Sequence, residues 1–84
     1  MSMKLPYSAL LVLDVLSHHG PMPPRDISLR ANVPPRTVSF ALRQLRKFDL
    51  CKRVPNLQDM RQPLYVVDPS KARAVFMRYG RVMA

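Results

Sequence analysis

The chain has 84 residues, enough for one domain around one modest hydrophobic core and too few for a two-domain enzyme with a cleft between lobes. Its 14 Lys and Arg residues against five acidic residues give a formal net charge of +9 and an isoelectric point near 10.9. Because such an excess repels itself until a polyanion neutralises it, nucleic acid or an anionic surface is the expected partner.

The first predicted helix covers residues 7–18. Pro6 suits its first turn because the fixed φ of proline matches helical geometry. Gly20 supplies the left-handed residue that ends many helices, and Pro21 prevents continuation. Apolar residues at helical spacing predict that most of this helix is enclosed: Leu10, Leu11, Leu13, Val15 and Leu16.

Two similar segments, 23–27 and 34–38, each begin with a proline pair followed by arginine. A residue before proline is extended, as an N-cap must be, so each segment predicts a helix start, and the first of these helices spans Pro24–Ala31. Neither cap is Ser, Thr or Asp. Either a DNA phosphate docks at these helix starts, or the prolines only stiffen the loops. Asn32 then permits the positive φ of a tight turn.

The segment 33–48 predicts a long helix with two unlike faces. Its apolar face consists of Val38, Ala41, Leu42 and Leu45. The opposite face is cationic and hydrogen-bonding, with no carboxylate, and consists of Arg36, Ser39, Phe40, Arg43 and Lys47. A helix that enters a DNA major groove needs such a face, although solvated amphipathic helices often carry one too.

Two runs of β-type residues, 50–54 and Leu64–Val67, flank a polar segment bounded by Pro55 and Pro63, which predicts a hairpin with a polar tip. Asp68 and Pro69 then open a last helix. The apolar face of that helix consists of Ala72, Val75, Phe76, Tyr79, Val82 and Met83. Because so small a domain has little core for this face to cover, a dimer contact is favoured over packing on the same chain.

A helix, a second helix, a tight turn, a basic helix and a hairpin together predict an α+β, mostly α, winged helix-turn-helix. The chain is then a single domain over residues 1–84. Its core and two-stranded wing cover residues 6–67, and its C-terminal helix covers residues 69–84.

Three stretches resemble the DNA-binding part of MarR-type transcriptional regulators: residues 19–28, 33–42 and 55–65. The most telling match is Asp59-x-Arg61, which falls at the predicted wing tip. The resemblance, which covers residues 7–67, implies that Arg61 reaches the minor groove while Asp59 holds its side chain in place. It also implies a set of side chains that face the major groove: Arg36, Thr37, Ser39, Phe40 and Arg43.

Elementary chemistry agrees with these implied roles. An arginine bonds both O6 and N7 of guanine, and a narrow minor groove attracts a guanidinium. Phe40 stands where the family commonly has a polar or basic side chain, so it either contacts a thymine methyl or marks a surface used for protein contact. The cations expected at phosphates, which position without specifying sequence, are Arg25, Lys47, Lys52 and Arg53.

Other signals favour no catalytic or metal chemistry. The single Cys51 excludes an internal disulfide and is expected to be a small buried strand residue. His18 and His19 lack partners for a metal and are read as a solvated helix end. Because we find no catalytic constellation, phosphate loop or membrane-length apolar run, we expect no enzyme, cofactor, metal or membrane association.

The sequence therefore favours a homodimeric, sequence-specific regulator that binds double-stranded DNA, represses by occupying a promoter, and is cytoplasmic and nucleoid-associated. Of the flanking helices that form a ligand pocket in the family, only the last is present, so no small-molecule effector is expected. The alternative is a winged-helix interaction module of a transcription or replication assembly, to which Phe40 and the last helix would contribute. A weaker option is non-specific chromatin packaging.

Overall fold

The computed structural model describes residues 4–79, which form four helices and a two-stranded antiparallel sheet. The helices are α1 (Tyr7–His19), α2 (Pro24–Ala31), α3 (Pro35–Lys47) and α4 (Pro69–Tyr79). The strands are β1 (Cys51–Val54) and β2 (Leu64–Val67), and the loop between them with the two strands is the wing. The predicted winged helix-turn-helix is confirmed. Val82 and Met83, predicted at a dimer contact, lie outside the described residues.

The core forms around α1, which contacts α2, α3, α4 and β2. Its largest fully buried side chains come from three helices: Val12, Leu13, Leu16, Ile27, Val38 and Leu45. On α1, Ala9 and Val12 are fully buried, whereas Leu11 and Val15, predicted to widen the apolar strip, are half-buried. Of the elements that pack on α1, α3 contacts it most extensively.

Residues with positive φ follow α1, α2 and α3, and two of them are not glycine. Asn32 has φ of 57°, as predicted, and the Val33 amide beyond it donates to the Ser28 carbonyl at 3.2 Å. Asp49 has φ of 59° after α3, and the Leu50 amide donates to the Leu45 carbonyl at 2.8 Å. This is the Schellman arrangement, which turns Leu50 into the core, so β1 begins one residue later than predicted.

The wing is attached to the helical core through Tyr65. In the hairpin, Arg53 pairs with Tyr65 and Lys52 pairs with Val66. Tyr65 also exchanges two backbone hydrogen bonds with Met22, at 3.0 and 3.3 Å, and both side chains are buried. The connection between α1 and α2 therefore acts as a one-residue third strand that fixes the wing beside the helices.

The apolar face of α4 packs on its own chain. Ala72 and Val75 are 2% and 3% exposed, and Phe76 and Tyr79 pack partly buried against the same core. The Tyr79 hydroxyl accepts a hydrogen bond from the Leu5 amide at 2.9 Å, which links the two ends of the described chain. The prediction of a dimer contact through this face is therefore wrong for Ala72 and Val75, because α1 leaves a flank that these side chains cover.

Candidate nucleic-acid interface

The outer face of α3 is open to solvent and cationic. Arg36, Ser39, Phe40, Arg43 and Lys47 are all exposed, whereas the four predicted core residues of this helix are buried. Thr37, also predicted to face DNA, is half-buried on the flank. Among residues 4–79, the ion pairs involve Asp14, Asp49 and Asp59, so none of them neutralises a cation of α3.

A second cationic row runs along the side of α3 that faces the hairpin. Ser39, Arg43 and Arg46 line a hollow together with Pro24 of α2 and Tyr65 of β2. Arg46 is exposed and was missed in the sequence analysis. Its spacing of three from Arg43 and seven from Ser39 is the signal that places all three on one side of the helix.

Two cations predicted to contact phosphates, Arg53 and Lys52, lie on opposite faces of the hairpin. Arg53 is paired with Tyr65, whose side chain borders the hollow beside Arg43, so Arg53 extends the cationic row. Lys52 lies on the opposite face of the hairpin, where it lines a separate hollow with Asp49 and Lys71. The structure therefore brings Arg53, but not Lys52, to the α3 side.

Arg61 projects from the wing tip and is held by Asp59, as the resemblance implied. Its Nε donates to Asp59 Oδ1 at 3.2 Å, and its backbone amide donates to the same oxygen at 3.1 Å. These two bonds, with a third from Gln62 Nε2, hold the pKa of Asp59 below its ordinary value. The Arg61 side chain remains 90% exposed, so its guanidinium is oriented yet available to a partner.

We define the α3–wing face as the exposed set formed by α3 and the wing, which consists of Arg36, Ser39, Phe40, Arg43, Arg46, Lys47, Arg53 and Arg61. Arg25 lies at its border, in an open cleft of about 850 Å³ between the start of α2 and the wing. Lys47 is directed over the Phe48 ring, with its Nζ 5.7 Å from the ring centroid.

The first turns of α2 and α3 lack side-chain caps, as predicted. Pro23 and Pro34 are the extended N-cap residues, and neither helix start receives a side-chain hydrogen bond. A following proline has no amide hydrogen, so an uncapped donor must be an amide further into the first turn. In α2 the Asp26 amide already donates to the Pro23 carbonyl at 3.0 Å. Use of an uncapped amide by a DNA phosphate stays a prediction.

Cys51 and His18 lie where the sequence predicted, in a buried strand and at an exposed helix end. Cys51 is buried, and loss of hydration raises the pKa of its thiol to about 11. His18 is exposed at the end of α1, with its Nδ1 3.1 Å from Asp14 Oδ1. Within residues 4–79, His, Cys, Asp and Glu side chains nowhere gather in a group of three that could hold a metal ion.

Every helix in the described part of the chain is too short or too polar to cross a membrane.

Comparison with known proteins gives a family and a shared fold. The model of the MarR family matches residues 5–62, which include α1, α2, α3, β1 and the wing tip. No curated protein sequence matches the chain.

Three solved structures illustrate the shared fold. BpsR of Bordetella bronchiseptica, described as regulated in DNA binding by 6-hydroxynicotinic acid, is 22% identical with a TM-score of 0.82, over 94% of this chain and 56% of its own. The transcriptional regulator BldR of Sulfolobus solfataricus is 23% identical with a TM-score of 0.79, over 96% of this chain and 57% of its own. A mutant of ZitR from Lactococcus lactis is 19% identical with a TM-score of 0.79, over 95% of this chain and 56% of its own. The chain thus spans a little over half the length of these proteins.

Proposed function

The chain belongs to the MarR family, and on this premise we propose that it is a sequence-specific regulator of transcription that binds double-stranded DNA as a homodimer. It represses by occupying a promoter. The observation that carries this proposal is the α3–wing face, which combines exposed cations on one side of a helix with an arginine that the wing holds outward.

Within this proposal, α3 enters the major groove. Arg36 and Arg43 project from its exposed side at positions suited to base edges, where an arginine forms two bonds to guanine. Lys47, Arg46 and Arg53 lie toward the margins of the face and suit phosphate contacts. Arg61 enters the adjacent minor groove, where a narrow A·T-rich segment attracts a guanidinium.

Dimerisation is proposed from the geometry of operator recognition. One recognition helix reads few base pairs, and winged helix-turn-helix proteins gain affinity by placing two such helices about 34–36 Å apart, one turn of DNA. Since Ala72 and Val75 are buried in the core, the contact is expected to use the outer part of α4, where Phe76 is half-buried and Met77 is exposed.

The decisive experiment is selection of bound duplexes from a random library, followed by gel filtration of the protein with and without the selected duplex. The proposal expects a pseudo-palindromic site and a dimer that shifts with DNA. Arg43→Ala should lose discrimination at one base pair in each half-site, a change of about 1–3 kcal/mol per base pair. Arg78→Ala, which removes an exposed arginine of α4, is the matched control.

Other outcomes assign the chain differently. A monomer that binds no duplex would favour the alternative of a winged-helix protein interaction module. Equal affinity for all duplexes would favour non-specific packaging of chromatin. We include no small-molecule effector in the proposal. Titration of 6-hydroxynicotinic acid, the compound named for BpsR, into the complex is expected to leave its affinity unchanged.

A further inference from the structure

The wing tip exposes apolar side chains where the sequence predicted a polar tip. Leu57 is 88% exposed and Met60 is 70% exposed. Six large hydrophobic residues of the described chain are exposed, and three of them, Phe40, Leu57 and Met60, belong to α3 or the wing. Isolated exposed apolar residues are ordinary, but two at one projecting tip form a distinct feature.

Two consecutive hydrogen-bonded turns that share Asp59 form the backbone of the tip. In the first turn, the Asp59 amide donates to the Asn56 carbonyl at 3.2 Å, and Asn56 Oδ1 accepts from the Gln58 amide at 3.0 Å. In the second turn, the Gln62 amide donates to the Asp59 carbonyl at 3.0 Å. Leu57 and Met60 hold the same position in these two turns, directly after the first residue, and the backbone around both is fixed.

Met60 and Arg61 are the two central residues of the second turn, so a cation and a flexible apolar side chain project from one short segment. The nearby carboxylate of Asp59 is already bonded to Arg61 and Gln62. Proteins that bend DNA from the minor groove combine these elements: arginine reads the groove, and an apolar side chain such as Leu or Met enters between base pairs.

We infer that the wing bends the DNA, with Met60 as a wedge between adjacent base pairs beside the position of Arg61 and Leu57 as a second apolar contact. Leu57 also lines the cleft toward α2, so Met60 is the principal wedge. The inference rests on the proposed function, and it adds a mechanical activity to it. Because pyrimidine–purine steps unstack most easily, the wing should favour a TA or CA step at the place of insertion.

The test measures the bend in the selected duplex, labelled with a fluorescence donor and acceptor at its two ends. The wild-type protein should raise energy transfer by an amount that corresponds to a bend on the order of 20–90°. Met60→Ala should lose most of that increase, and Leu57→Ala with Met60→Ala should lose all of it. Tyr7→Ala, which truncates a side chain of α1 that is 59% exposed and lies outside the wing, should leave the bend unchanged.

A second readout locates the wedge. 2-Aminopurine placed at the favoured step should brighten when wild-type protein binds, because unstacking relieves its quenching, and should stay dim with Met60→Ala. Selection with the double variant should lose the TA or CA preference at that step while it keeps the bases read by α3.

The outcomes separate this inference from the proposed function. Tight, sequence-specific binding without a bend would overturn the wedge and leave the regulator intact. A bend that persists in the double variant would also overturn it. Failure of the wild-type protein to bind any duplex would overturn both proposals.

Discussion

If the α3–wing face binds DNA as proposed, the number of its cations that contact phosphates sets the salt dependence of binding. Counting Arg25 at its border, seven exposed cations are positioned to neutralise phosphates or enter a groove: Arg25, Arg36, Arg43, Arg46, Lys47, Arg53 and Arg61. Four of these cations, Arg25, Arg46, Lys47 and Arg53, suit phosphate contacts. Each neutralised phosphate contributes about −0.9 to the slope of log affinity against log salt, so one protomer is expected to give a slope of about −4. A rise from ~50 to ~200 mM salt should then weaken binding on the order of 10²-fold per protomer.

The assay is fluorescence anisotropy of a labelled duplex over a series of KCl concentrations. Arg46→Ala should reduce the steepness by about one unit per protomer, since it removes one phosphate contact. Arg78→Ala removes the same charge from α4 and should leave the slope unchanged, and Lys52→Ala should behave like this control because Lys52 lies on the other face of the hairpin. A flat dependence on salt, or equal effects of Arg46→Ala and Arg78→Ala, would refute the assignment of the face.

Further expectations concern the wing, the core and two titrating groups. Asp59→Ala should weaken DNA binding about two- to tenfold by anisotropy, since DNA must then immobilise the Arg61 side chain itself at a cost of about 0.5–1.5 kcal/mol; tighter binding would mean that the carboxylate chiefly repels phosphate. Leu45→Ala, at a fully buried position, should lower the free energy of unfolding by about 2–5 kcal/mol in urea titrations. Cys51 should react with a thiol reagent at pH 8 only as fast as the protein opens, because burial raises its pKa to about 11; rapid labelling of the native protein would contradict this. The Lys71 ammonium beside Asp49 holds the pKa of that carboxyl below its ordinary value of 3.8, so its stabilising effect is present above that value and is lost as the pH falls through the folded pKa. Asp49→Asn should therefore show a smaller fall in Tm between pH 5 and pH 3 than the wild type.

The helices and strands were predictable because local chemistry marks their ends. Pro6 and Gly20 bound α1, and prolines at the first turns of α2 and α3 fix where those helices begin. The buried face of α3 followed from helical spacing alone. The exposure of the cations on its other face followed from the same pattern, so this part of the candidate site was available from the sequence.

The features that sequence reasoning missed depend on contacts between distant segments. The apolar stripe of α4 was visible, but nothing local shows that α1 leaves a flank for Ala72 and Val75 to cover. Arg46 belongs to the candidate interface because the hairpin places Tyr65 next to α3, where both residues line one hollow. The sequence predicted a polar wing tip because Asn56 and Asp59 lie there. In the structure both side chains form hydrogen bonds within the turns, and Leu57 and Met60 are exposed to solvent.

The backbone pairing of Met22 with Tyr65 fixes the position of the wing relative to the helices. Two backbone hydrogen bonds join the hairpin to the connection that precedes α2, so in the proposed complex the distance between α3 in the major groove and Arg61 in the minor groove is set by the protein backbone. An operator with an inserted or deleted base pair between those two contacts would satisfy one and miss the other. We therefore expect the protein to select the spacing of bases along its site as well as their identity.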